Sequence, residues 1–105
     1  MATVCEELLA DIKTALDVTW DDPGTDRKLR TLTASGMVYL DSKLGETADY
    51  MADGLPRTLL LEYVRYARDG ALDLFEGNYR AMILAMQQGK AVERYAEQAA
   101  DETKQ

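Results

Sequence analysis

Apolar side chains recur along this chain at intervals of three and four, the period of an α-helix, and no stretch alternates long enough to make a strand. Val4, Cys5, Leu8, Leu9, Ile12, Ala15 and Leu16 form the first series. Thr3 and Glu6 open it as Thr-x-x-Glu, a capping box in which each side chain satisfies a free backbone N–H. The pattern puts Cys5 on the apolar face as a buried thiol. It makes Val18 and Trp20 the anchors where the chain leaves the helix. Asp21-Asp22-Pro23-Gly24-Thr25-Asp26 is a turn, with Thr25 or Asp26 as the cap of a second helix. Leu29, Leu32, Gly36, Met37, Leu40 and Leu44 line one face of that helix. Gly36 allows a neighbouring helix to come close, and Gly45 is the expected terminator.

The pattern breaks over 46–55, where Tyr50 and Met51 are apolar islands among acidic and small residues. Pro56 suits the first turn of a third helix. Leu59, Leu60, Tyr63, Val64, Ala67, Ala71, Leu74 and Phe75 keep one phase, with Asp69-Gly70 as a bend or an interruption and Gly77-Asn78 as the stop. Asn78 then caps a segment faced by Tyr79, Met82, Ile83 and Met86, which Gln88-Gly89 would kink. Val92, Tyr95 and Ala96 continue weakly, and the polar end, about 97–105, is expected to fray. The prediction is an all-α, small single-domain helical bundle over 1–105, with about four to five helices and one longer loop at about 46–55.

Composition agrees. The chain has 105 residues, enough for one domain, and 47% of them are hydrophobic. No apolar run approaches the ~20 residues of a membrane span, and no signal peptide is recognisable. A protein of the cytoplasm, with no membrane partner, is the expectation. The single cysteine excludes an intrachain disulfide.

Charge changes the picture more. The net charge is −7, unevenly spread. Residues 1–26 hold seven acids against one base, and residues 27–45 hold four bases against one acid. The two regions can pair within one molecule or head to tail between copies. Phosphate binding needs clustered Lys and Arg, so tight nucleic-acid binding is not expected. Arg27-Lys28-Leu29-Arg30 is the one candidate for a DNA-reading helix, and it opens an otherwise apolar helix.

Candidate chemistry is sparse. With no histidine, the commonest general base and zinc ligand is missing. No glycine-rich phosphate loop occurs. Asp21, Asp22 and Asp26 could offer oxygens to calcium, but EF-hand spacing is absent and caps and turns use Asp in the same way. Asp69, Asp73 and Glu76 fall at spacings of four and three beside Arg65, Arg68 and Arg80. That pattern suits surface ion pairs better than paired catalytic carboxylates. The expectation is no enzyme activity, no cofactor and no metal. Tyr and Met favour interface cores. Tyr50 and Met51, rimmed by Asp49 and Asp53, are thus a candidate protein interface, expected to be covered by a neighbour. The basic group Arg27, Lys28 and Arg30 is a second candidate.

The segment Leu60–Tyr79, with its run Leu60-Leu61-Glu62-Tyr63-Val64-Arg65-Tyr66 and its Leu74-Phe75-Glu76-Gly77-Asn78-Tyr79, is one of three recognisable parts. The second is the opening helix Leu8-Leu9-Ala10-Asp11-Ile12-Lys13, which leads through Leu16-Asp17-Val18 to an acidic turn. The third is the helix with Leu32, Gly36, Tyr39 and Leu40 closing at Leu44-Gly45. In this order, over about residues 3–96, they resemble the head–tail connector (head-completion or adaptor) proteins of tailed bacteriophages. The resemblance implies a structural protein at the head–tail interface of a virion or prophage product, made in the host cytoplasm. It implies a ring of about a dozen copies, closed through a heterologous contact. Its partners would be further copies, the portal protein and the next connector or tail protein. The ring would extend the DNA channel and supply a docking surface, with no cofactor. The alternative is a small helical regulatory or adaptor protein that binds a protein partner through the Tyr50–Met51 loop.

Overall fold

The computed structural model describes residues 4–102. Over these residues the chain is all-helical, with four helices and no strand. The first, α1, spans Glu6–Ala15. Thr3 of the expected capping box lies outside the described residues. Cys5 is the N-cap, and its Sγ accepts the Leu8 N–H at 3.4 Å. Cys5 is therefore exposed at a helix end and not buried on the apolar face. At the other end Asp17 takes φ 58°, and the Val18 N–H reaches back to the Lys13 carbonyl at 2.8 Å. This is a Schellman closure in which Asp17 stands where glycine is usual. Val18 is buried as expected, but Trp20 is 55% exposed.

Helix α2 spans Pro23–Leu44. Its cap is Asp22, one turn earlier than Thr25 or Asp26, because Pro23 already fits the first helical position. The Asp22 carboxylate accepts the Thr25 N–H at 2.9 Å and the Thr25 hydroxyl at 2.8 Å. Gly45 ends α2 at φ 84°, as the pattern predicts.

Helix α3 spans Leu55–Arg68 and carries Pro56 in its first turn. Gly70, at φ 74°, closes it, with the Ala71 N–H bonded to the Tyr66 carbonyl at 2.9 Å. Helix α4 runs over Leu72–Glu102. The chain thus breaks at Asp69–Ala71, one of the two outcomes expected there, and the stop expected at Gly77-Asn78 is met by a kink at Tyr79 inside α4. Asn78 caps nothing; its side-chain amide donates to the Tyr66 hydroxyl at 3.1 Å. Tyr79, at φ −112° and ψ 15°, departs from helical geometry directly after Gly77-Asn78, whereas Gln88-Gly89 stays helical and does not kink. The helix also persists past Glu97 to Glu102.

Helices α2, α3 and α4 pack as a bundle, and α1 lies against α2 and α3. Ile12, Leu29, Leu40, Leu59, Leu60, Val64 and Phe75 are almost fully buried at the centre. Gly36 lets α2 and α3 approach: a Cβ there would lie 2.7 Å from Tyr63 and 2.9 Å from Leu60. Around Phe75, rings from all three bundle helices meet. Tyr63 and Tyr66 are edge-on at 5.5 and 5.9 Å, and Tyr79 stacks at 5.1 Å. Their hydroxyls turn outward to polar partners: Tyr79 donates to Glu62 and Tyr39 to Glu76, both at 3.0 Å. The molecule measures 57 × 29 × 22 Å. Helix α4 has 31 residues, about 46 Å at 1.5 Å per residue, against about 21 Å for the 14 of α3.

Candidate interaction surfaces

The charge asymmetry of the sequence is largely resolved inside the molecule. Glu6 of α1 pairs with Arg30 of α2. Lys13 sits between Asp21 and Asp26 at 3.1 and 3.0 Å, and their hydrogen bonds, Asp26 first, raise its pKa. Asp11 pairs with Arg57 of α3 at 2.8 Å. Two more arginines of α3 finish α1: Arg65 donates to the Ala15 carbonyl at 3.2 Å and Arg68 to that of Leu16 at 3.1 Å. These are carbonyls that a helix end leaves without an intrahelical partner, at the negative pole of its dipole.

The loop reading is corrected for one of its two anchors. Tyr50 is only 3% exposed and belongs to the core of its own chain. Its hydroxyl donates to Asp41 at 2.6 Å and also meets the Met37 carbonyl at 3.2 Å. Burial first, then Asp41, pushes the Tyr50 phenol far above its ordinary pKa. Arg57 clamps the loop from below by donating to the Tyr50 carbonyl at 3.2 Å. Tyrosine offers a ring for the core and a hydroxyl for Asp41, which the sequence pattern alone does not reveal across nine residues. Met51 remains outward, 39% exposed, and Asp49 and Asp53 are exposed beside it.

The loop forms one wall of a cleft of about 450 Å³. Leu44, Leu55, Pro56 and Met86 supply apolar lining, and Asp49, Asp53, Lys90 and Glu93 its polar rim. Lys90 is held by Glu93 at 3.2 Å and Glu46 at 3.4 Å. Nothing in the sequence flags this cleft, because its walls come from residues about forty apart that only the fold brings together.

The basic candidates divide. Arg30 is engaged by Glu6, whereas Arg27 and Lys28 are exposed and form no ion pair among the described residues. They begin an outward face of α2 that continues through Thr31 and Ser35 to Val38, which is 56% exposed. On α4, Leu84, Val92 and Tyr95 are 51, 68 and 77% exposed.

The carboxylates weighed for chemistry are occupied locally. Asp22 caps α2, and Asp21 and Asp26 share Lys13. The chain break puts Asp69 outside α4, where it pairs with Arg68 at 3.4 Å. Glu76 is held below the ordinary carboxylate range by Lys43, 2.7 Å away, and by Tyr39. Among the described residues no group of three or more metal-ligating side chains converges, and no helix is long and apolar enough to cross a membrane. No family model matches the chain, and neither the curated proteins nor the solved structures give a match.

Proposed function

We propose that this protein is a structural head–tail connector of a tailed phage or prophage, working by assembly and not by catalysis. Copies would associate as a ring beneath the portal, extend the DNA channel and present a docking surface to the next connector or tail protein. The observation that carries this reading is apolar surface left uncovered on an otherwise well-packed small domain. Leu84, Val92 and Tyr95 on α4, Val38 on α2 and Trp20 before α2 are all more than half exposed. Apolar side chains that a domain leaves in water are the ones an assembly can bury. The order of elements over about residues 3–96 gives the reading its family. The adaptor alternative relied on Tyr50 and Met51 as a pair and retains Met51 alone.

Electron microscopy of the purified protein, alone and mixed with the cognate portal, is the test. Rings, free or on the portal, are expected. A strict monomer in both preparations would remove the connector reading. A gel-shift titration should show no tight duplex binding at physiological salt, because Arg27 and Lys28 are too few to neutralise a run of phosphates.

A further inference from the structure

Arg27 and Lys28 stand at the beginning of α2, and the acidic cleft opens at its end, beside Leu44. The two are separated by about 25 Å along the helix. One molecule cannot bring them together, but two can. The outward face of α2 is cationic at its start, small at Thr31 and Ser35, and apolar at Val38. It shows no free carboxylate: Asp26 is paired with Lys13, and Asp41 is turned to Tyr50. Among the described residues that line the cleft, Asp49, Asp53 and Glu93 outweigh Lys90, above an apolar lining. The two surfaces carry opposite charge, and each has apolar side chains to cover.

We infer that the α2 face of one copy docks on the cleft between the 46–55 loop and α4 of the next. Arg27 and Lys28 face Asp49 and Asp53, and Val38 and Met51 are covered. Because the two patches differ, the contact is heterologous and propagates head to tail; it closes into a ring when the rotation per copy permits. The inference rests on the assembly reading above and names its interface.

The test uses two charge-reversed forms of the full chain, Arg27→Glu with Lys28→Glu, and Asp49→Lys with Asp53→Lys. Sedimentation velocity over a concentration series at low salt is expected to show the wild type associating. Each variant alone should need on the order of tenfold higher concentration or more, since like charges now face each other. An equimolar mixture of the two should associate again, each variant supplying the patch that the other needs. Unchanged melting, followed by circular dichroism, shows that the exposed substitutions leave the fold intact. If the wild type associates and the variants associate equally well, or the mixture fails to recover, this interface is wrong while the assembly reading stands. A wild type that stays monomeric at the highest concentration and at low salt overturns this interface, and if it forms no ring on the portal the connector reading goes with it.

Discussion

Gly36 is the residue whose replacement tells most about the bundle. A methyl there would meet Tyr63 and Leu60 at 2.7 and 2.9 Å, and Tyr63 is held by its neighbours Tyr39 and Phe75. Gly36→Ala is expected to cost about 1–3 kcal/mol, despite the better helix propensity of alanine, because the core must open to accept it. Urea melts followed by circular dichroism measure this. Tyr50→Phe keeps the buried ring and removes the hydroxyl that serves Asp41, so a loss of about 1–2 kcal/mol is expected in the same assay. Asp17 offers the opposite sign. At φ 58° it strains an L side chain in a closure that suits glycine, and Asp17→Gly should stabilise the fold by about 0.5–1 kcal/mol. The tyrosines also set an alkaline limit. Burial raises Tyr39 and Tyr79 to about 12 from the ordinary 10, with Glu76 and Glu62 adding to the effect. A raised folded-state pKa gives stability that is complete below the unfolded value. It is lost as pH rises from about 10 through about 12, so melting temperatures should fall over that window.

At the scale of the elements, the caps explain which boundaries the sequence reveals. Gly45 and Pro56 act through their own backbones, and both stand where the pattern puts them. Asp69-Gly70 reads as a bend or an interruption, and Gly77-Asn78 as a stop. Periodicity runs through both, and the choice between them is made by contacts: Asn78 reaches Tyr66, and Gly70 closes α3. Cys5 and Tyr50 mislead for a related reason. An apolar position at a helix end or in a loop is assigned to surface or core by its polar partners, here the Leu8 N–H that holds Cys5 at the exposed helix end and Asp41 with Met37 that draw Tyr50 inward. The three arginines of α3 that hold α1 act across 46 to 52 residues, a separation that no local pattern reports. Arg65→Ala with Arg68→Ala strips two donors from the carbonyl end of α1. Hydrogen exchange should show α1 losing protection first, while α2 and α3 keep theirs.

On the scale of the whole molecule, the bundle ends before α4 does. Val92 and Tyr95 lie far out of the core, and among the described side chains α4 is tied to the body by Gln87 to the Lys43 carbonyl and by Lys90 to Glu46. Substituting Val92→Ser and Tyr95→Ser is therefore expected to shift the melting temperature by no more than about 2 °C, within the usual range for surface changes.

The arginine attachment of α1 carries a consequence for synthesis. Translation delivers α1 before α3, so Arg57, Arg65 and Arg68, which fasten its flank and its carbonyl end, follow 46 to 52 residues later. Of the four described helices, α1 is thus made earliest and must wait for the arginines that seat it. Until α3 has been made and has turned back on α2, this amphipathic strip has only its contacts with α2, Glu6 to Arg30 and Lys13 to Asp26, and lacks the part of its cover that α3 supplies. A ribosome stalled before Arg57 should display α1 open to protease, and one stalled with α3 clear of the exit tunnel should show it closed.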